Sequence, residues 1–150
     1  MQKASALETL IELAQTRTDD AARRLGALNA KDMDMQAKLA LLTQYSDEYR
    51  ARFQTLAQQG LTASDWRNYH AFLNKLDEAI AQQREALASM RQRVAAGEHD
   101  WRSAKRVLNS YDTLAQRKTR AESVRAARHE QRETDEHASN TAARRDRGQA

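Results

Sequence analysis

Cysteine and proline are absent from this chain, and only four of its 150 residues are glycine. Without cysteine there is no disulfide, no thiolate nucleophile and no cysteine-based zinc site, which suits a reducing cytosol. Without proline nothing breaks a helix from within, and so few glycines leave few places to stop one. Aromatics make up only 5% of the chain. With a mean hydropathy of −0.92, large apolar side chains are too few for a multilayered core, so a narrow seam between long helices is expected. Long apolar runs are missing too. None approaches the length of a membrane span, and Glu8 and Glu12 interrupt the stretch that a signal peptide would need. The expectation is a soluble cytoplasmic protein with no transmembrane segment.

The groupings that carry chemistry are equally sparse. His70, His99, His129 and His137 include no i,i+3 or i,i+4 pair, and no glycine-rich phosphate loop or nucleophile-base arrangement is present. A helix pair also has no interior that excludes water. No catalytic residue, metal or cofactor is expected.

What the chain does have is charge, at 31%, with 25 basic residues interleaved among 21 acidic ones for a net charge of +4. Interleaving of this kind marks solvated helix faces with i,i+4 partners such as Glu48 and Arg52. A nucleic-acid role is therefore not expected. Its remaining candidates are Arg144, Arg145 and Arg147, and it would show as affinity falling steeply with salt.

The apolar residues follow a heptad. Ser5-Ala6-Leu7-Glu8 reads as a capping box, and from it one seam runs through Leu7, Ile11, Ala14, Thr18, Ala21, Leu25, Leu28, Asp32, Met35, Leu39, Leu42, Ser46, Tyr49, Phe53 and Leu56. It is interrupted only at Thr18, Asp32 and Ser46, which predicts one helix on the order of 80 Å long. Gly60 then supplies the left-handed stop, and Thr62-Ala63-Ser64-Asp65 reads as a second capping box. The second seam runs through Trp66, Tyr69, Leu73, Leu76, Ile80, Gln83, Leu87, Met90, Val94, Gly97, Trp101, Ala104, Leu108, Tyr111 and Ala115. So short a connection favours an antiparallel pair.

Folding the two seams about Gly60 sets Phe53 near Tyr69, Leu42 near Ile80, Leu28 near Val94 and Leu7 near Ala115. Trp101 then meets Ala21 and Gly97 meets Leu25, so bulky residues face small ones as interdigitated packing requires. The fold class predicted is all-α: a long two-helix antiparallel coiled coil over residues 1–137, followed by a disordered basic tail over 138–150.

Near the hairpin tip there are more apolar residues than a two-stranded seam needs. Leu42, Tyr45 and Tyr49 form one track and Phe72, Leu76 and Ala79 another, and the pairing brings the two together. Two uses are open: a protein-docking patch anchored by tyrosine and phenylalanine, or the widened edge of the seam.

The same residues carry a resemblance. Leu42-x-x-Tyr45-x-x-Glu48-Tyr49-Arg50, Gly60-Leu61-Thr62 with Trp66-x-Asn68-Tyr69-x-x-Phe72-Leu73-x-x-Leu76, and Ala79-Ile80 resemble the flagellar type III export proteins of the FliJ family. Leu10-x-x-Leu13-Ala14 and Trp101-Arg102 extend the similarity over residues 5–120. The resemblance implies a coiled coil similar to the central stalk of rotary ATPases, cytoplasmic and peripherally associated with the inner membrane at the flagellar base. Its implied partners are the hexameric export ATPase, the cytoplasmic part of the export gate membrane protein, and export chaperones. It implies that Leu42, Tyr45, Tyr49, Phe72, Leu76 and Ala79 contact the gate. It also implies that the end holding the termini, with Leu10, Leu13, Arg17, Arg117 and Arg120, meets the ATPase ring. Lys38 and Gln83 depart from the family pattern, which has Gln and His there, so no role is carried to them. The alternative is a generic scaffold or chaperone that dimerises through the patch.

Overall fold

The computed structural model describes residues 5–149. Helix α1 spans Ala6–Gln59 and helix α2 spans Ala63–Gly148, with no strand among the described residues. The start of α1 is a complete capping box. The Glu8 N–H donates to Ser5 Oγ at 3.2 Å, and the Ser5 N–H donates to the Glu8 carboxylate at 3.3 Å, so two N–H groups that the first turn leaves free are satisfied. At α2 only half forms. The Asp65 N–H donates to Thr62 Oγ1 at 3.1 Å, while aspartate, one methylene shorter than glutamate, makes no return bond. Between the helices Gly60 has φ +100°, a conformation that a side chain would strain.

The helices pack antiparallel as a helical hairpin. Thr16–Ala104 forms one compact unit, and the described residues of Met1–Gln15 and Lys105–Ala150 form the other. Within Thr16–Ala104 the contacts run in opposite chain directions. The Phe53 and Tyr69 rings lie 6.0 Å apart, Arg50 pairs with Asp77, Gln83 Nε2 donates to the Met35 carbonyl at 3.1 Å, and Asp32 lies beside Arg91. The core is one residue deep: Ala21, Leu73, Ile80, Leu87 and Met90 are buried, and with them Thr18 and Ser46 at two of the seam's polar interruptions. In the other unit Ala14 and Leu108 are buried, and Leu7, Ile11, Tyr111 and Ala115 half-buried.

Gly97 shows why the seam needs a glycine inside a helix. A Cβ added there would sit 3.0 Å from Leu28 Cδ1 and 3.5 Å from Leu25 Cδ1. The predicted Leu25 is present, and Leu28 comes closer still. Gly97→Leu is expected to overpack this site and cost about 1–3 kcal/mol in urea unfolding. An unchanged midpoint would show that the seam opens freely here.

Two expectations differ from what is observed. Trp66, predicted in the seam, is 47% exposed and stacks instead on His70 of its own helix, with centroids 4.7 Å apart. It lies in the opening turns of α2, where α1 is already ending, so too little of the opposing helix remains to cover an indole. Residues 138–148, for which the sequence predicts disorder, continue α2, and every residue of α2 beyond Ala115 is exposed. With neither proline nor glycine between Ala115 and Gly148, nothing local terminates the helix.

Candidate functional site

The seam spacing leaves one flank of each helix beside it, and near Gly60 those flanks are aromatic. On α1, Leu42 and Tyr49 are half-buried, while Tyr45 between them is 47% exposed. On α2, Leu76 and Ala79 are half-buried and Phe72 is 40% exposed. Tyr49 joins the two tracks: its ring lies 4.4 Å from Phe72 and 6.2 Å from Tyr69, in tilted pairs that aromatic quadrupoles favour. The structure thus brings Tyr49 and Phe72 into contact. Tyr45 stands outside this cluster and enters no ring pair among the described residues.

The electrostatics around the cluster are set by arginine. The Arg52 guanidinium lies 5.8 Å from the Tyr49 centroid, within cation–π range, and is not paired with Glu48, whose carboxylate accepts from Gln44. Arg50 places one NH₂ group 2.8 Å from both Asp77 oxygens, fastening α1 to α2 on the opposite flank. Both side chains of that pair are about half exposed, so it contributes orientation more than stability.

Several neighbours escape a reading based on seam membership alone. Leu41, 49% exposed, lies one turn before Tyr45 and widens the apolar surface. A shallow depression of about 420 Å³ is lined by Ala51, Arg52, Thr55 and Leu56, and another of about 480 Å³ by residues that include Leu61, Trp66 and Arg67. The two depressions lie toward the turn, the second beside the outward Trp66, which a heptad count does not encode.

The second predicted set is distributed differently. Leu10 and Leu13 are 41% and 45% exposed, and with the exposed Arg117 and Arg120 they belong to the unit made by the two ends of the chain. Arg17, also exposed, belongs to Thr16–Ala104. Val107, Leu114 and Val124 are also exposed apolar residues of the first of these units. The seven-residue step from Val107 to Leu114, one position ahead of the seam residues Leu108 and Ala115, is the signal that could have found these two. No described helix is long and apolar enough to cross a membrane.

Known proteins match along this whole pattern. The family model described as flagellar FliJ protein covers residues 2–147. The flagellar FliJ protein of Salmonella typhi is 35% identical over 144 residues, and that of Escherichia coli strain K12 is 33% identical over 144 residues. Each of these comparisons covers 96% of this chain and 98% of the relative. The helical hairpin and its aromatic cluster are therefore those of a chain that belongs to the flagellar FliJ family.

Proposed function

We propose that this chain is a non-enzymatic component of the flagellar type III export apparatus that links the hexameric export ATPase to the export gate. The observation that carries the reading is the patch of Leu42, Tyr45, Tyr49, Phe72, Leu76 and Ala79, in which exposed Tyr45 and Phe72 flank a ring cluster held by Tyr49. Exposed aromatics on a preorganised surface are favoured anchors for a protein partner, because little side-chain freedom remains to be lost on docking. In this reading the cytoplasmic part of the gate takes the patch. The ATPase takes the apolar surface of the terminal unit, where Leu10, Leu13, Val107, Leu114 and Val124 are joined by Arg117 and Arg120. Arg17 is assigned to the same contact on its sequence position alone. Export chaperones are further partners, and the site of action is the cytoplasmic side of the inner membrane at the flagellar base.

The test is the affinity of the purified chain for the cytoplasmic part of the export gate, wild type beside Phe72→Ala/Leu76→Ala, with circular dichroism to establish that both are helical. A folded double variant that binds at least about tenfold more weakly supports docking through the patch. If wild type fails to bind, or both bind alike, the patch is a seam edge or a self-association surface. A concentration-dependent dimer that the double variant dissolves would favour the scaffold reading.

A further inference from the structure

One flank of the Thr16–Ala104 unit ties its helices together, and the other leaves its basic side chains without an ion pair. On the tied flank Arg50 holds Asp77. The opposite flank consists of the residues one position ahead of alternate seam residues. On α1 these are Arg24, Lys31, Lys38 and Tyr45, at strict seven-residue spacing. In an antiparallel pair they face Asp100, Arg93, Ala86 and Ala79 of α2, and a depression of about 200 Å³ beside Gly97 is lined by Arg24, Arg93 and Asp100 together, as that geometry requires.

A helix pair stabilising only itself would place carboxylates opposite these cations. Here only Arg24 faces a carboxylate, Asp100, and makes no ion pair with it, while Lys31 faces Arg93, a like charge, and Lys38 faces an alanine. Arg24, Lys31, Lys38 and Arg93 are all exposed, and none has a carboxylate within ion-pair distance among the described residues. The nearest carboxylates in sequence or across the flank are Asp32, turned to Gln36 and Arg91, and Asp20, engaged by Arg23 at 3.5 Å, with Asp34 and Asp100. Along α1 the row runs directly into the aromatic patch, since Lys38 precedes Tyr45 by two turns, about 10 Å of helix.

We infer that this flank docks an acidic α-helical segment of the same partner that takes the aromatic patch. Its carboxylates recur every seven residues, so as to meet Lys38, Lys31 and Arg24 in turn. The inference rests on reading the patch as a docking surface. Charge complementarity selects the occupant, and spacing selects its form. Carboxylates at seven-residue intervals on a helix fall about 10 Å apart, matching the cation row. A nucleic-acid strand carries a charge every ~3.4 Å and would set phosphates against Asp34 and Asp100. The small Ala79 and Ala86 opposite the row let a helix backbone approach between the longer basic side chains.

Two assays with the full chain separate this inference from the reading beneath it. In the first, a labelled helical peptide with glutamate at every seventh position, and its lysine counterpart, are titrated with wild type and with Arg24→Glu/Lys31→Glu. The expected result is that wild type binds the glutamate peptide in preference to the lysine one, and that the double reversal weakens binding roughly tenfold. Circular dichroism accompanies each variant, because Lys31→Glu sets a carboxylate opposite Arg93 whereas Arg24→Glu sets one opposite Asp100. Equal binding by both chains, or none by either, overturns the inference, as does vesicle binding (phosphatidylglycerol) that the reversal abolishes while neither peptide binds. The second assay repeats the comparison on the cytoplasmic part of the gate. Loss with Phe72→Ala/Leu76→Ala but not with the charge reversal overturns the basic flank and leaves the patch standing. If the gate does not bind wild type, the patch reading fails and the peptide assay alone decides the flank.

Discussion

Tyr49→Ala is expected to destabilise the chain by about 2 kcal/mol and, on the proposed reading of the patch, to weaken gate binding as well, whereas on that reading Tyr45→Ala is expected to weaken binding alone. The two tyrosines are one turn apart and chemically identical, so the difference comes entirely from what surrounds them. The half-buried Tyr49 ring packs against Phe72 and Tyr69 and carries Arg52 near its face. Removing it takes contacts from both helices at once and leaves a gap that a one-residue-deep core cannot close. Tyr45 is 47% exposed and enters no described ring pair, so its truncation should stay within about 0.5 kcal/mol of wild type. Urea unfolding of the two variants measures this directly. Equal midpoints for both would show that Tyr49 does not hold the cluster.

The second large effect has the opposite sign: Asp32→Leu is expected to raise stability by about 1–3 kcal/mol. Asp32 occupies a seam position with its side chain only 16% exposed. One carboxylate oxygen accepts from Gln36 Nε2 at 2.6 Å, but the other is buried without a hydrogen bond. Arg91 Nε at 3.8 Å is near enough for attraction and too far to donate. Desolvation of that oxygen is thus incompletely offset. Leucine would continue the seam, and Arg91, 61% exposed, would remain hydrated. What is lost is a polar layer that, with Gln83 on the Met35 carbonyl, favours one register of α1 against α2. Urea unfolding together with sedimentation reads both consequences. A lower midpoint for Asp32→Leu would mean that the Arg91 attraction outweighs the desolvation.

The fold was legible because a heptad leaves little ambiguity. The seam positions from Leu7 to Leu56 and from Tyr69 to Ala115 are all at least half-buried, including polar Thr18, Asp32 and Ser46, and the glycine at position 97 marks a close approach that the pairing about Gly60 anticipates. Periodicity carries no information about where cover ends, and both departures follow from that. Trp66 keeps the spacing but has run out of opposing helix, and the residues after Ala115 keep their helix without cover. For the candidate site, periodicity located the surplus aromatics but could not rank them. That Tyr49 is interior to the cluster while Tyr45 and Phe72 face water depends on ring packing across the helices. The unpaired basic flank was hidden for the same reason, since charges that look interleaved along the chain separate into paired and unpaired rows only when two helices are aligned.

The left-handed Gly60 has a kinetic consequence. Every contact between α1 and α2 closes a loop centred on it, and the loop lengthens by two residues for each step away from the turn. The Arg50–Asp77 pair spans a sequence separation of 27 and the Gln83–Met35 hydrogen bond one of 48. Contacts closest to the turn therefore have the smallest closure entropy to overcome. Loop closure thus costs least at the aromatic end and most for the pairing of Leu7 with Ala115, the seam position farthest from the turn.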